Sequence, residues 1–209
     1  MIAIVDYKAG NLTSVKLALD ALGAASQITA DPEAIRAAER VVFPGVGAAG
    51  AGMKALEEAK LVPVLREVIG RGTPFLGVCF GMQLLFERSE EDGGTDCLGL
   101  VRGEVRRFAP SSPRDKIPHM GWNAVRVARP HPLLAGIEDE SELYFLHSYY
   151  CAPRIESEIV ATTGYADTEF ASVVCRANVF ATQFHPERSG RIGLRLYDNF
   201  TRWDGGDAC

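Results

Sequence analysis

Apolar residues recur along the chain in two rhythms. Over roughly the first ninety residues, short strand-like runs (Ile2–Val5, Ser26–Thr29, Val41–Phe43 and Pro74–Val78) alternate with stretches whose apolar positions repeat at helical spacing. The first such stretch carries Val15, Leu19 and Leu22 and stops at Gly23, a residue that ends helices because it takes left-handed backbone without a Cβ clash. Asp31-Pro32-Glu33 reads as the next helix start, with a capping acid, a proline whose missing N–H costs nothing there, and an acid in the first turn. The segment from Met53 to Ile69 reads as mostly helical, broken near Pro63. Strands that are apolar throughout, rather than alternating, belong to a parallel sheet covered on both faces, and the intervening helices supply the cover. The second half changes character. Turn signals at Gly103, Pro110-Ser111-Ser112-Pro113, Pro130-His131-Pro132 and Gly136 separate strand-like pieces at Glu104–Phe108, Ala124–Ala128, Ile159–Tyr165 and Ser172–Cys175, and a last helix runs from about Gly190 to Trp203. The expected fold is therefore α/β, a central, mostly parallel sheet flanked by helices with an additional antiparallel region. Sites in such sheets form at the carboxyl ends of strands.

Composition narrows the function classes. At 209 residues, without internal repeats or a low-complexity linker, the chain is expected to form one domain over residues 1–203, followed by a loose tail at 204–209. A net charge of −5 with no basic run argues against nucleic acid as a partner. No apolar stretch is long enough for a membrane-spanning helix, and the start Met1–Val5 lacks a basic flank and ends at Asp6, so it reads as a strand and not a signal peptide. Five cysteines, an odd number without C-x-x-C spacing, fit a reducing cytoplasm with one reactive thiol.

That thiol is Cys79. Gly77-Val78-Cys79-Phe80-Gly81 lies between the run Pro74–Val78 and the helix-like run Met82–Glu87, which is the cysteine form of a nucleophile elbow. The sharp turn holds the middle residue in strained backbone, the glycines clear space on either side, and a helix starting there would direct its unpaired N–H groups at the sulfur. A base and an orienting group stand downstream in Phe184-His185-Pro186-Glu187. Pro186 pushes His185 out of the α region, so His185 and Glu187 are expected in an extended turn and on one side, where Glu187 can accept from one imidazole nitrogen while the other meets Cys79. A buried structural cysteine and a structural histidine are the plain alternatives, and their joint occurrence favours chemistry. Gly45-Val46-Gly47-Ala48-Ala49-Gly50 is formally a dinucleotide loop, G-x-G-x-x-G, and a nucleotide-binding module is the rival it raises. Its context fails, because the next strand ends without an acid to hold a ribose and Pro44 is expected to distort the entry from strand to loop. The better reading gives the Val46 N–H to an oxyanion hole whose second donor is the N–H of Phe80. No cofactor and no metal are expected.

The segments Gly77–Gln83 and Phe184-His185-Pro186-Glu187 together resemble the class I glutamine amidotransferases. Ile4-Val5-Asp6-Tyr7 with Gly10-Asn11, Pro44–Gly47, Ile117–Asn123 and Phe145–Tyr149 extend the likeness to nearly the whole chain and are similar to the glutaminase subunits of imidazole glycerol phosphate synthases. The resemblance implies a flavodoxin-like fold and a Cys79-His185-Glu187 triad that releases ammonia from L-glutamine through a glutamyl thioester. It implies that Gly47, Gln83, Glu91, Ser148 and Tyr149 contact glutamine, the plain alternative for Gln83 and Glu91 being a solvated helix end in the acidic cluster of Glu87, Glu90, Glu91 and Asp92. It further implies a heterodimer with a cyclase subunit, a (β/α)8 barrel that receives the ammonia, with Asn11, Met120, Trp122 and Arg188 near the shared face. Trp122 could also be an ordinary core aromatic, and the glutaminase of a different synthase is the alternative within the class.

Overall fold

The computed structural model describes residues 1–8, 10 and 12–206. The first half runs β1 (Ile2–Val5), α1 (Leu12–Ala21), β2 (Ser26–Thr29), α2 (Pro32–Ala37), β3 (Arg40–Gly45), α3 (Ala49–Glu58), α4 (Leu61–Gly70), β4 (Phe75–Cys79) and α5 (Phe80–Leu84). The second half adds the short strands β5 (Arg88–Ser89) and β6 (Thr95–Asp96), then β7 (Gly103–Arg107), β8 (His119–Val127), β9 (Ser141–His147), β10 (Tyr149–Pro153), β11 (Ile159–Tyr165), β12 (Thr168–Arg176), β13 (Val179–Thr182) and α6 (Gly190–Arg202).

Among the described residues the principal sheet has nine strands in the order β2-β1-β3-β4-β13-β12-β11-β8-β9. It is parallel from β2 through β13 and antiparallel from β13 to β9. The antiparallel region foreseen in the second half thus continues the same sheet, and a second small sheet, β10-β7-β5-β6, packs Val105 and Cys151 into the apolar cluster that holds Phe43 and Phe75. Two apolar clusters are built around the sheet: one gathers Val41, Phe43, Phe75 and helix residues of α3 and α4, the other Ile4, Leu76, Phe180 and helix residues of α1 and α6. This sandwich explains why the central strands are apolar throughout. With β1, β3, β4 and β13 parallel, their carboxyl ends open on one edge of the sheet.

Local chemistry accounts for most boundaries and for the departures from expectation. Asp31 caps α2 by accepting from the Glu33 N–H at 3.0 Å, as its position before Pro32 implies. The break expected near Pro63 falls instead at Lys60, which sits in left-handed backbone at φ 58°, while Pro63 occupies the first turn of α4. A proline there forfeits only an N–H that has no partner inside the helix. The entry to the Gly45 loop is also straighter than expected: β3 continues through Pro44 and Gly45, paired with Val78 and Cys79 of β4. Pairing with β1 has already ended at Val42, so the missing Pro44 N–H interrupts no ladder on that side.

Candidate active site

The elbow around Cys79 is built from the end of β4 and the start of α5. Cys79 takes φ 52° and ψ −106°, backbone that a residue with a Cβ adopts only when its surroundings enforce it. Gly81 is part of that enforcement, because a Cβ there would lie 1.8 Å from the Phe43 carbonyl oxygen and drive α5 off β3. The helix after the elbow is shorter than the run Met82–Glu87 suggests. It covers Phe80–Leu84 only, and the chain then turns through Leu85 and Phe86, whose N–H groups bond to Met82 and Gln83. Five residues build little macrodipole, so what α5 offers the sulfur is chiefly its unpaired first-turn N–H groups.

His185 arrives from the adjacent strand, since β13 pairs with β4 in parallel and Thr182 stands opposite Val78. Its backbone is extended, its N–H bonds the Tyr144 carbonyl at 2.9 Å, and its own carbonyl accepts from the Ser189 hydroxyl at 2.7 Å. The segment Pro186–Arg188 differs from the expected extended turn: it winds into one 3-10 turn, closed by N–H bonds from Arg188 to His185 and from Ser189 to Pro186. Proline suits the first position of such a turn, and α6 packs against it so closely that a Cβ at Gly193 would stand 1.8 Å from the Pro186 carbonyl oxygen. The pairing nevertheless forms. His185 Nδ1 lies 2.7 Å from Glu187 Oε1 with both side chains buried, and the Tyr197 hydroxyl reaches Glu187 Oε2 at 3.5 Å.

The electrostatics of the three groups are linked. Burial alone would make the imidazole give up its proton, but the charge of Cys79, a hydrogen bond to it and the Glu187 carboxylate outweigh burial and raise His185 to about 10. The sulfur supplies the first of the opposing contributions, so Cys79→Ala should bring the His185 imidazole midpoint well below about 10. Nitrogen-15 NMR titration of the imidazole checks this, and an unchanged midpoint would mean that Glu187 alone holds the proton.

These side chains face a pocket of about 290 Å³, close to the small end of ligand sites. Val46, Gly47, Phe80, Gln83, Glu91, Ser148, Tyr149 and Arg188 all line it together with Cys79, His185 and Glu187. Met120 and Trp122 stand outside it, exposed at 66% and 53%, which removes Trp122 from the core. Asn11 lies outside the described residues. The acidic cluster lies beyond the helix end, since α5 stops at Leu84, and although Glu90 and Asp92 are exposed each of its carboxylates accepts a backbone N–H. Glu91 accepts from the Ala49 N–H at 2.8 Å and Asp92 from the Gly50 N–H at 3.4 Å, while Glu87 and Glu90 accept from the N–H groups of Gly103 and Arg107. Two carboxylates therefore occupy the helix start at which a dinucleotide pyrophosphate would have to bind, which opposes the phosphate-cradle reading of the Gly45–Gly50 segment.

Three polar groups here escaped the sequence reading. His147 lines the pocket, and its Nδ1 lies 2.8 Å from the Tyr149 carbonyl, which can only accept, so Nδ1 carries the proton. Its Nε2 must then accept from His119 Nδ1 at 2.9 Å, and His119 Nε2 accepts from the Asn123 amide at 3.2 Å. Both rings are neutral in this arrangement, and burial lowers His147 to about 3 and His119 to about 4. The third is Gln183, wholly buried between Thr182 and Phe184. A glutamine in an otherwise apolar strand end was the available signal for it.

The glutamine amidotransferase class-I family model matches residues 3–202. The imidazole glycerol phosphate synthase subunit HisH of Methylococcus capsulatus is 52% identical over 213 residues, covering 97% of this chain and 96% of that protein. The subunit of the same name from Dehalococcoides mccartyi (strain CBDB1) is 46% identical over 99% of both chains. Among solved structures, a glutamine amidotransferase crystal structure matches with a TM-score of 0.74 at 20% identity over 97% of this chain and 98% of that one. The structure of PurLQS from Thermotoga maritima matches with a TM-score of 0.75 at 16% identity over 96% and 97%. At those identities the structures establish a shared fold.

Proposed function

The chain belongs to the class-I glutamine amidotransferases, and on that premise we propose that it is the glutaminase subunit of an imidazole glycerol phosphate synthase, hydrolysing L-glutamine and passing the ammonia to a cyclase subunit. The observation that carries the reading is Cys79, held at φ 52° beside the His185–Glu187 pair in a pocket of amino-acid size.

The Cys79 thiolate attacks the side-chain carbonyl carbon of glutamine, and the tetrahedral oxyanion takes the N–H groups of Phe80 and Val46. Imidazolium His185 gives its proton to the departing nitrogen, ammonia leaves, and a glutamyl thioester remains. Neutral His185 then takes a proton from water, hydroxide adds to the thioester carbonyl, and collapse returns the thiolate and releases glutamate. Glu187 fixes which ring nitrogen faces the sulfur and stabilises the imidazolium. Glu91 suits the substrate ammonium, with Gly47, Ser148 and Tyr149 around the carboxylate. Gln83 contributes through its oxygen, because its amide nitrogen already donates to the Tyr149 carbonyl at 2.9 Å and to Gln183 at 3.1 Å.

The partner covers the pocket mouth. Met120 pairs with Leu146 across β8 and β9, Trp122 pairs with Tyr144, and Leu146 is both exposed and part of the pocket lining. Val46, 47% exposed, stands at the same mouth. An exposed patch of Trp, Met, Leu and Val beside a site that releases ammonia suits a docking face for the cyclase, a (β/α)8 barrel, with Arg188 at the same mouth contributing. Trp122→Ala should weaken that complex at least tenfold, the scale of an aromatic interface anchor, while leaving Cys79 labelling by a glutamine-mimicking electrophile unchanged. Titration calorimetry with the cyclase subunit checks it, and unaltered affinity would remove Trp122 from the interface. The functional reading itself is tested by assaying glutamine hydrolysis with and without the cyclase subunit and its ligand. Low activity alone with strong acceleration in the complex is expected, and full activity in isolation would contradict the division of labour.

A further inference from the structure

Gln183 is fully buried at a strand end where an apolar residue would pack more cheaply, and every polar atom of its side chain has a partner. The register of β13 on β4 puts it beside the elbow: Thr182 stands opposite Val78, so the next residue on each strand is Gln183 and Cys79. Its Nε2 lies 3.6 Å from Cys79 Sγ. Its Oε1 accepts from Gln83 Nε2 at 3.1 Å and faces the buried Cys151 thiol at 3.9 Å.

The direction of these bonds is fixed by one backbone atom. Gln83 reaches the Tyr149 carbonyl at 2.9 Å, and a carbonyl only accepts, so Gln83 must present its NH2 end there. The second hydrogen of that NH2 group needs an acceptor, which makes the near end of Gln183 its oxygen. The far end, the one against Cys79, is then an N–H donor. No choice of amide flip in either glutamine reverses this without placing two acceptors or two donors face to face.

We propose that Gln183 is a positioning residue for Cys79, donating its side-chain N–H to Sγ so that the sulfur is held toward the pocket and its negative charge is met by a donor before glutamine arrives. The proposal rests on the reading of Cys79 as the nucleophile. It gives the otherwise expensive burial of two amides a purpose: a relay from the Tyr149 carbonyl through Gln83 and Gln183 to the sulfur, in which each group is oriented by the one before. Because Gln83 also lines the pocket, the same relay links substrate contact to the orientation of the thiolate.

The test is the pH dependence of Cys79 alkylation by iodoacetamide in the full chain, read by mass spectrometry of the Cys79 peptide. Gln183→Met removes the donor at similar volume, and Gln183→Glu keeps the shape but turns the donor into an acceptor. The alkylation midpoint should rise by about one pH unit in Gln183→Met and further in Gln183→Glu, on the scale of a hydrogen bond to a charged group. In the unaltered protein, which involves no question of folding, the Gln183 side-chain amide resonances should shift when Cys79 is alkylated. With the cyclase subunit bound, kcat for glutamine should fall at least fivefold in Gln183→Met with KM changed less than twofold, a split that loose packing would not produce. An unmoved midpoint in the variants, or amide resonances indifferent to alkylation, would overturn the proposal while leaving Cys79 as nucleophile. Labelling of a cysteine other than Cys79 by a glutamine-mimicking electrophile in the unaltered protein would instead overturn the reading on which it rests.

Discussion

Cys79→Ala should abolish glutamine hydrolysis, with turnover reduced on the order of 10⁶-fold, the scale seen when the nucleophile of a triad is removed. In the proposed mechanism every later step passes through the thioester, and the other described free thiols are poorly suited to replace Cys79. Cys151 is wholly buried with its protonation pushed up by burial, and Cys97 is raised to about 11 for the same first reason. Neither lines the pocket. A glutamine-mimicking electrophile should accordingly label the unaltered protein at Cys79 alone, and the variant not at all. The measurement is glutamate release in the complex together with peptide mapping of the label. Residual hydrolysis above about 1% would remove Cys79 from its assigned role.

His185→Ala should cost nearly as much, on the order of 10⁶-fold, because in the proposed mechanism the imidazole both protonates the departing nitrogen and deprotonates water. Glu187→Gln should be milder. A glutamine oxygen at the position of Oε1 can still accept from Nδ1 at 2.7 Å and preserve ring orientation, and what disappears is the charge that stabilises the imidazolium. The pH profile separates the two effects. Glu187→Gln lowers the proton affinity of His185, so the alkaline limb of thioester formation should move to lower pH, since the proton donated to the leaving nitrogen is lost earlier as pH rises. Steady-state rates across pH for the three proteins check this order, and a Glu187→Gln loss larger than that of His185→Ala would give Glu187 a role beyond orientation.

The residues that carry the site were legible where their geometry is local. Gly77-Val78-Cys79-Phe80-Gly81 encodes its own turn, since the strand before it, the cysteine in left-handed backbone and Gly81 beneath the Phe43 carbonyl all belong to a few consecutive residues and one neighbouring strand. His185, Pro186 and Glu187 are similarly self-contained, although the 3-10 turn they form depends on Gly193 of α6 lying close above Pro186. The β-α alternation of the first half was also readable, because the core covers both faces of those strands and leaves them apolar throughout. The strands β8 and β9 were harder. Leu143 and Phe145 point inward, but Met120, Trp122 and Leu146 are apolar and exposed, so the alternation of buried and exposed positions carries no clean hydropathy signal. If that face docks a partner, the lost periodicity is the direct consequence of a surface that is solvent-facing only in the free chain. Lys60 in left-handed backbone could not be anticipated, because no glycine or asparagine marks the break between α3 and α4. The His119–His147 pair and the Gln83–Gln183 relay depend on register between strands distant in sequence, and a single chain of letters does not contain register.

The proposed reaction is divided between two subunits, with cleavage of glutamine here and use of ammonia on the cyclase, and the Cys79→Ala complex tests that division most directly. Imidazole ring formation by this complex should be absent with L-glutamine as the nitrogen source and should return to the unaltered complex's ammonium-driven rate when ammonium salt is added at mildly alkaline pH. If ammonium fails to restore ring formation to the assembled Cys79→Ala complex, or if glutamine still supports it, the proposed division of labour is wrong.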